Sequence, residues 1–215
     1  MSSSFKPPRF YPIIDTSVLE RSDFTPLMMA EQAAAAGVRI LQYRHKDSWM
    51  QASFDEAKAI SEICKQADIL FIVNDRADLA KLLGAGLHIG QDDLPPVAAR
   101  VVLPRAILGF STHNALQLRR AGEIPADYLS LGPIFSTRSK EQPDPVVGVD
   151  GLRALRVLTT KPLVAIGGIT LGNAREVLSA GADSVAVISG LVPNGPLRGD
   201  LRKRMVEWLD LTKDV

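Results

Sequence analysis

Short apolar runs rich in β-branched and aromatic residues recur along the chain, and they alternate with stretches whose apolar residues have helical spacing. We predict eight strands, at Phe10 to Asp15, Ile40 to Arg44, Ile69 to Asn74, Leu87 to Gly90, Ile107 to Ser111, Tyr128 to Leu131, Leu163 to Ile166 and Ser184 to Ile188. Helices are predicted between and after them, over 25–36, 51–67, 76–83, 95–101, 114–121, 151–158, 171–180 and 199–209. The pattern therefore indicates alternating βα units from residue 10 onwards.

Eight such units without a linker predict an α/β protein with one (β/α)₈ TIM barrel over residues 10–215, preceded by a flexible N-terminal tail at 1–9. An open doubly wound sheet is the rival fold, and it usually has a glycine-rich loop after its first strand. Here that strand ends Ile14-Asp15-Thr16 without glycine, which favours the barrel. Ala-Gly pairs at 36–37, 121–122 and 180–181 predict helix ends with a left-handed residue.

Composition narrows the classes of function. The 215 residues include 25 Lys and Arg against 24 Asp and Glu, so the chain has no overall basic field for nucleic acid or an anionic membrane. The single cysteine, Cys64, excludes an internal disulfide and a cysteine-rich zinc site. No apolar run approaches the ~18 residues of a membrane span, and no signal peptide is recognisable. We expect a cytoplasmic protein.

Polar residues at the strand ends are the candidate site, because a barrel of this kind builds its active site at the carboxyl ends of its strands. The second strand runs into Gln42-Tyr43-Arg44-His45-Lys46. Since strand side chains alternate, Gln42, Arg44 and Lys46 should share one face, and Tyr43 and His45 the other. An amide and two cations together suit a phosphate or diphosphate. The alternative is a solvated loop.

Acidic residues follow the third and fourth strands. Asp75 and Asp93 are explained either as helix caps or as a pair that holds one Mg²⁺ together with substrate phosphate oxygens. Because adjacent strands lie about 4.8 Å apart, the pair favours the metal more than either acid alone. Ser111, at the end of the fifth strand, is either a helix cap or a hydrogen-bond donor to substrate.

A second anion site is predicted at the end of the barrel sequence. Gly167-Gly168 follow the seventh strand and Ile188-Ser189-Gly190 the eighth, where this fold recurrently binds phosphate through backbone N–H groups. The loop at 136–147 carries Thr137, Ser139 and Lys140, and a mobile lid is one hypothesis for its role. Two anion sites at one mouth predict a reaction between two phosphorylated small molecules.

These residues together resemble the thiamine-phosphate synthase family, also called thiamine-phosphate pyrophosphorylase, from about Tyr11 to Gly190. The resemblance rests on Gln42 to Lys46, Asn74-Asp75, His88 to Asp93, Gly109 to Ser111, Asp127-Tyr128, Gly132 to Phe135, Thr137 to Lys140, Ile166 to Ile169 and Ile188-Ser189. It implies a TIM barrel that joins 4-amino-5-hydroxymethyl-2-methylpyrimidine diphosphate to 4-methyl-5-(2-phosphoethyl)thiazole, plain or carboxylated. The products are thiamine phosphate and diphosphate, and the implied mechanism is dissociative.

The resemblance also implies roles for individual residues. Pyrimidine diphosphate would be bound by Gln42, Tyr43, Arg44, His45, Lys46, Asn74, Ser111 and Lys140, of which Arg44, Lys46 and Lys140 would be catalytic. Thiazole phosphate would be bound by Thr137, Arg138, Ser139, Gly168, Ile188 and Ser189. Mg²⁺ would be held by Asp75 and Asp93, because the family's metal acid is the second residue after Gln91. Tyr43 and Ser139 depart from the family's usual leucine and threonine, and we expect neither to alter activity.

Two alternatives share this barrel: a thiazole tautomerase-like paralogue and a non-catalytic barrel that binds thiamine precursors. The resemblance separates the first of them, since its members typically lack the metal-binding acids, whereas this chain has Asp75, Gln91 and Asp93. A homo-oligomer is compatible with the sequence. His45 and His113 are interpreted as exposed loop residues, and His88 as either a packing residue or a contact to the pyrimidine.

Overall fold

A computed structural model describes residues 5–137, 144–193 and 198–213, with the side chains of 198 and 199 excepted. Its strands form one closed parallel barrel in chain order, which confirms the predicted fold class. They are β1 (Phe10–Asp15), β2 (Ile40–Arg44), β3 (Leu70–Asn74), β4 (Gly86–Ile89), β5 (Leu108–Thr112), β6 (Tyr128–Leu131), β7 (Leu163–Ile166) and β8 (Ser184–Val187). Every strand end lies within one residue of its prediction, because the apolar runs are short and sharply bounded.

Helices surround the barrel. They are α1 (Thr16–Leu19), α2 (Pro26–Ala36), α3 (Gln51–Gln66), α4 (Ala77–Leu83), α5 (Pro96–Val102), α6 (Ala115–Ala121), α7 (Gly148–Arg156), α8 (Ala174–Ser179) and α9 (Arg198–Lys213), with a 3₁₀ turn at Ser189–Leu191. The sequence pattern missed α1 and the 3₁₀ turn, since neither is long enough to show helical periodicity. The Asp15 side chain caps α1 by accepting from the Ser17 N–H at 3.1 Å.

The predicted left-handed helix ends are correct at two of three positions. Gly37 and Gly181 have φ of 86° and 108°. The prediction is wrong at Gly122, where φ is −57° and the backbone N–H donates to Arg119 O in a continuing right-handed turn.

Apolar side chains fill two layers. The larger lies between strands and helices and includes Tyr43, the free Cys64 and Trp208, whose ring stacks on Phe10. Burial raises the pKa of the Cys64 thiol to about 12, so packing explains this residue. The inner layer fills the barrel with Tyr11, Ile13, Ile40, Ile72, Tyr128, Val164 and Ala186.

The chain before β1 reaches this inner layer. The Phe5 ring lies 5.8 Å from that of Tyr128, and residues 1–4 lie outside the described part of the chain. The division into a tail at 1–9 and a barrel at 10–215 stays a prediction. None of the helices in the described ranges has the length and apolarity needed to cross a membrane.

Candidate active site

A cavity of about 500 Å³ lies at the carboxyl ends of the strands. The predicted site residues that line it are Gln42, Arg44, Lys46, Asn74, Asp75, Asp93, Ser111, Thr137 and Ile188. These residues lie at or after the ends of strands from β2 round to β8, so closure of the sheet brings together the residues of both predicted anion sites. Its mouth is polar, whereas Ile13, Val164 and Ala186 supply apolar lining further inside.

Two predicted ligands point away from this cavity. The Tyr43 hydroxyl donates to the Glu56 carboxylate at 2.7 Å, and His45 Nδ1 lies 3.0 Å from Thr16 Oγ1. Strand alternation requires this placement, since Gln42, Arg44 and Lys46 occupy the inner face. The Tyr43 and His45 side chains therefore do not face the cavity, and the binding roles of these two residues stay predictions. His45 is also only partly exposed.

The second anion site has a tightly folded frame. Gly168 adopts φ +64°, and a Cβ added there would lie 2.6 Å from Ser136 O. Gly168 and Ser189 adjoin the lining residues Gly167 and Ile188, although they are not themselves part of the cavity lining. Arg138, Ser139 and Lys140 lie outside the described residues, as do 141–143 of the predicted lid. Their roles stay predictions.

Arg44 is anchored by an acid that the sequence analysis did not single out. Asp15 is only 2% exposed, and its carboxylate forms an ion pair with the Arg44 guanidinium. The Ser17 hydroxyl donates to the same carboxylate at 2.6 Å. Asp15 and Arg44 are register partners on β1 and β2. The available signal was an acid at the carboxyl end of the first strand.

The helix-cap explanations are wrong for all three candidate residues. The residues at the N-termini of α4, α5 and α6 are Arg76, Pro95 and Asn114. Asp93 instead accepts from the Gly90 N–H at 2.7 Å, and Ser111 contacts His88. Asp75 has φ +63°, a conformation that costs energy for a non-glycine residue and is common at functional sites. The Lys46 ammonium forms an ion pair with the Asp75 carboxylate.

Asp75 and Asp93 form one electrostatic unit. Burial and a hydrogen bond with Asp93 raise the pKa of Asp75 to about 6, against the opposing charge of Lys46. Burial acts in the same direction on Asp93, but its hydrogen bonds with Asp75 and Gly90 and the nearby positive charge lower its pKa overall. In the described residues no group of three or more His, Cys, Asp or Glu is placed to hold a metal ion. A metal ion at this place would be coordinated by the two carboxylates, and ligands other than these groups would complete its coordination shell.

Inside the mouth, hydrogen-bonded side chains cross the barrel. His88 is 8% exposed, with Nδ1 3.0 Å from the Tyr128 hydroxyl and Nε2 2.9 Å from Ser111 Oγ. The Tyr128 and Tyr11 hydroxyls are 2.9 Å apart, and Gln42 Nε2 donates to Tyr11 at 2.8 Å. This structure resolves the open question about His88: it is a hydrogen-bonded part of the cavity.

His113 also differs from its interpretation as an exposed residue. Its Nδ1 lies 2.7 Å from Gly132 O and 3.4 Å from the Asp144 carboxylate, and the side chain lines the cavity. A single histidine after a strand carries no sequence signal that would separate these two placements.

Comparisons with known proteins agree with one another. Residues 10–191 match the family model for thiamine monophosphate synthase. The chain is 46% identical over 215 residues to a thiamine-phosphate synthase of Koribacter versatilis, covering 98% of this chain and 99% of that one. It is 42% identical over 163 residues to that of Chloroflexus aurantiacus, covering 75% and 76%. The solved structure of a thiamine phosphate pyrophosphorylase from Pyrococcus furiosus superposes with a TM-score of 0.82 at 31% identity, covering 96% of both chains.

Proposed function

Since the chain belongs to the thiamine monophosphate synthase family, we propose that its barrel mouth holds the two substrates together through the residues described above. The chain is a transferase, a thiamine-phosphate synthase. It joins the pyrimidine methylene carbon to the thiazole nitrogen, and the bond from that carbon to the diphosphate oxygen breaks.

The diphosphate would lie against Arg44, Lys46 and Asn74. Asn74 carries this proposal: it is 7% exposed and lines the cavity, yet its Nδ2 has no hydrogen-bond partner among the described residues. A buried N–H donor without an acceptor is rare and costly, so a ligand oxygen is the natural partner. Arg44 and Lys46 add the positive charge that an oxyanion requires.

Asp75 and Asp93 fit a magnesium ion shared with this diphosphate. Their carboxyl groups share a hydrogen bond, and the pKa of Asp75 is raised by burial first, then by this hydrogen bond and the Asp93 charge, all of which a bound cation would counter. Two carboxylates plus phosphate oxygens are a usual Mg²⁺ environment. When bound, Mg²⁺ would neutralise charge on the leaving diphosphate.

The remaining residues would bind and orient. Asp15 holds the Arg44 guanidinium in place, so the cation is positioned before the substrate arrives. Apolar lining at Ile13, Val164 and Ala186 would keep water from the reacting carbon. We propose that Thr137, Gly168, Ile188 and Ser189 hold the thiazole phosphate, and that Lys140 adds charge from the loop. In this dissociative mechanism no enzyme side chain becomes covalently modified.

The two alternatives are less well supported. A tautomerase-like protein handles no diphosphate, so it has no use for paired acids and cations that face one cavity, as Asp75, Asp93 and Arg44 do. A non-catalytic barrel is disfavoured by the similarity of the whole chain to thiamine-phosphate synthases. We also propose a cytoplasmic location, supported by the single buried and unpaired cysteine. A homo-oligomer stays compatible with the sequence.

The test is product formation by the purified protein. Both phosphorylated substrates with Mg²⁺ should give thiamine phosphate and diphosphate, detected by mass spectrometry, and EDTA should stop turnover. Turnover that is indifferent to EDTA would overturn the magnesium site, and absence of thiamine phosphate would overturn the function.

A further inference from the structure

The hydrogen-bonded side chains inside the barrel form a single chain with two ends in the cavity. In order they are Gln42, Tyr11, Tyr128, His88 and Ser111, joined by contacts of 2.8, 2.9, 3.0 and 2.9 Å. Gln42 lies on β2 and Ser111 on β5, so the chain spans the barrel beneath the mouth. A planar ring lying in the cavity would contact Gln42 on one side and Ser111 on the other.

If every hydroxyl proton in this chain makes one of these hydrogen bonds, the links all run in one direction. Gln42 Nε2 donates to the Tyr11 oxygen, so the Tyr11 proton goes to Tyr128. The Tyr128 proton then goes to His88 Nδ1. Burial raises the pKa of both phenols, so each keeps its proton. In the tautomer with Nδ1 as acceptor, the proton lies on Nε2, which donates to Ser111 Oγ.

The two ends consequently differ in polarity. Ser111 Oγ accepts from His88 and also from Ser130 Oγ at 3.3 Å, which leaves its own proton to donate. Gln42 uses Nε2 on Tyr11, which leaves Oε1 as the acceptor that it offers to a ligand. Both residues line the cavity.

The fold reserves space for this arrangement. The His88 ring stacks on Tyr128 with centroids 5.5 Å apart. A Cβ added at Gly109, on the neighbouring strand, would lie 2.2 Å from Tyr128 Cζ and 2.3 Å from His88 Nδ1. Only glycine lets the stack stand against β5.

We propose that His88, Tyr128 and Tyr11 are positioning residues that fix Gln42 as an acceptor and Ser111 as a donor, and that this polarity selects a pyrimidine with a 4-amino group. The inference rests on the proposed function of the cavity. A 4-amino group donates to Gln42 Oε1 while a ring nitrogen accepts from Ser111. A 4-oxo ring would place an acceptor against an acceptor, a mismatch that costs far more than a lost contact.

The test compares kcat/KM for the 4-amino pyrimidine diphosphate and for its 4-oxo analogue, in the wild type and in Tyr128→Phe. The substitution cuts the chain in the middle, so the Gln42 amide and the His88 tautomer can each reverse. We expect a wild-type preference for the amino substrate of at least about 100-fold. Tyr128→Phe should lower this preference about tenfold, with the KM for thiazole phosphate within about twofold of wild type.

Two further variants separate positioning from general packing. His88→Gln can accept from Tyr128 and donate to Ser111, so it should retain most of the preference, whereas His88→Phe keeps the ring stack and should lose it. Thr112→Val is the matched control. It removes a buried hydroxyl that donates to Ser130 O at 2.7 Å on the same strand as Ser111, and it should leave the preference unchanged.

Three results of these experiments would count against the proposals. An unchanged preference in Tyr128→Phe, or a wild type that uses the oxo analogue equally well, overturns the inference. If Tyr128→Phe does not fold, Tyr11→Phe cuts the same chain and takes its place. A wild type that makes no thiamine phosphate from the amino substrate defeats the proposed function itself, which is a separate result.

Discussion

The carboxylate of Asp15 holds the guanidinium of Arg44 at the edge where β1 and β2 end. Asp15 is almost fully buried, and Ser17 donates to it from both its backbone N–H and its hydroxyl. The pair therefore places a cation at the mouth of the cavity in a fixed orientation. In the proposed site, Arg44 would meet the diphosphate without first losing side-chain freedom.

Asp15→Asn should reduce turnover about 100-fold, because Arg44 loses the group that orients it. It should also lower the free energy of unfolding by about 3 kcal/mol, since breaking a buried ion pair leaves a charge without its partner. Steady-state kinetics and urea unfolding measure the two effects. Asp68→Asn is the control: Asp68 pairs with Arg39 at 3.2 Å but is 89% exposed, and its removal should change neither. Equal effects of the two substitutions would contradict the role of Asp15.

Asp93→Asn should lower turnover by at least about 100-fold and raise the Mg²⁺ concentration needed for half-maximal rate. The neighbouring Asp92 also borders the cavity but is exposed, so Asp92→Asn should be nearly silent. Circular dichroism spectra should match the wild type in both cases. A stronger effect of Asp92→Asn than of Asp93→Asn would show that Asp92, and not Asp93, holds the metal.

The raised pKa of Asp75 predicts a pH dependence of stability in the metal-free protein. Because the pKa rises from 3.8 to about 6 on folding, the folded chain binds the extra proton more tightly. The stability that this contributes is complete below the unfolded value and is lost as the pH rises through about 6. Asp75→Asn should therefore gain stability relative to wild type between these two pH values and keep the gain above them.

Urea unfolding in EDTA across this range measures the difference. Asp150→Asn removes a carboxylate that is 99% exposed and should show no such trend. A difference between Asp75→Asn and wild type that is flat with pH would show that Asp75 titrates normally in the folded protein.

Gly168→Ala should raise the KM for thiazole phosphate about tenfold and destabilise the protein by about 1 kcal/mol or more, because the added Cβ meets Ser136 O in a left-handed backbone conformation. The KM for the pyrimidine substrate should stay within about twofold, since the site proposed for that substrate lies across the mouth. Gly172→Ala is the control, as its Cβ would meet nothing among the described residues closer than Thr170 Oγ1 at 3.7 Å. An unaltered thiazole KM in Gly168→Ala would remove this loop from the phosphate site.

Local pattern was sufficient for the barrel and for one side of the mouth. Gln42, Arg44 and Lys46 share the inner face because the period of a strand is two, and that rule needs no knowledge of the rest of the fold. The same rule turned Tyr43 and His45 outward, against the roles that the resemblance implied. Asp75 and Asp93 required the structure, because capping a helix and holding a metal use the same residue types at the same place.

The chain through His88 was beyond the reach of local pattern. Tyr11 and Tyr128 are 117 residues apart, and their hydroxyls meet only because closure of the barrel sets the register of strands that are not neighbours. Taken alone, Tyr11 and Tyr128 each have the sequence pattern of an apolar core position. The pairing of Asp15 with Arg44 was not predicted for a related reason, since the two residues are 29 positions apart in the chain.

The central claim is that the leaving diphosphate is held at the barrel mouth jointly by Arg44, Lys46, Asn74 and a magnesium ion on Asp75 and Asp93. Isothermal titration of the purified protein with inorganic diphosphate, with and without Mg²⁺, tests it most directly. We predict one site per chain, at least about tenfold tighter with Mg²⁺, and no magnesium enhancement in Asp93→Asn. Diphosphate binding that is equally tight in EDTA and in Asp93→Asn would contradict the claim.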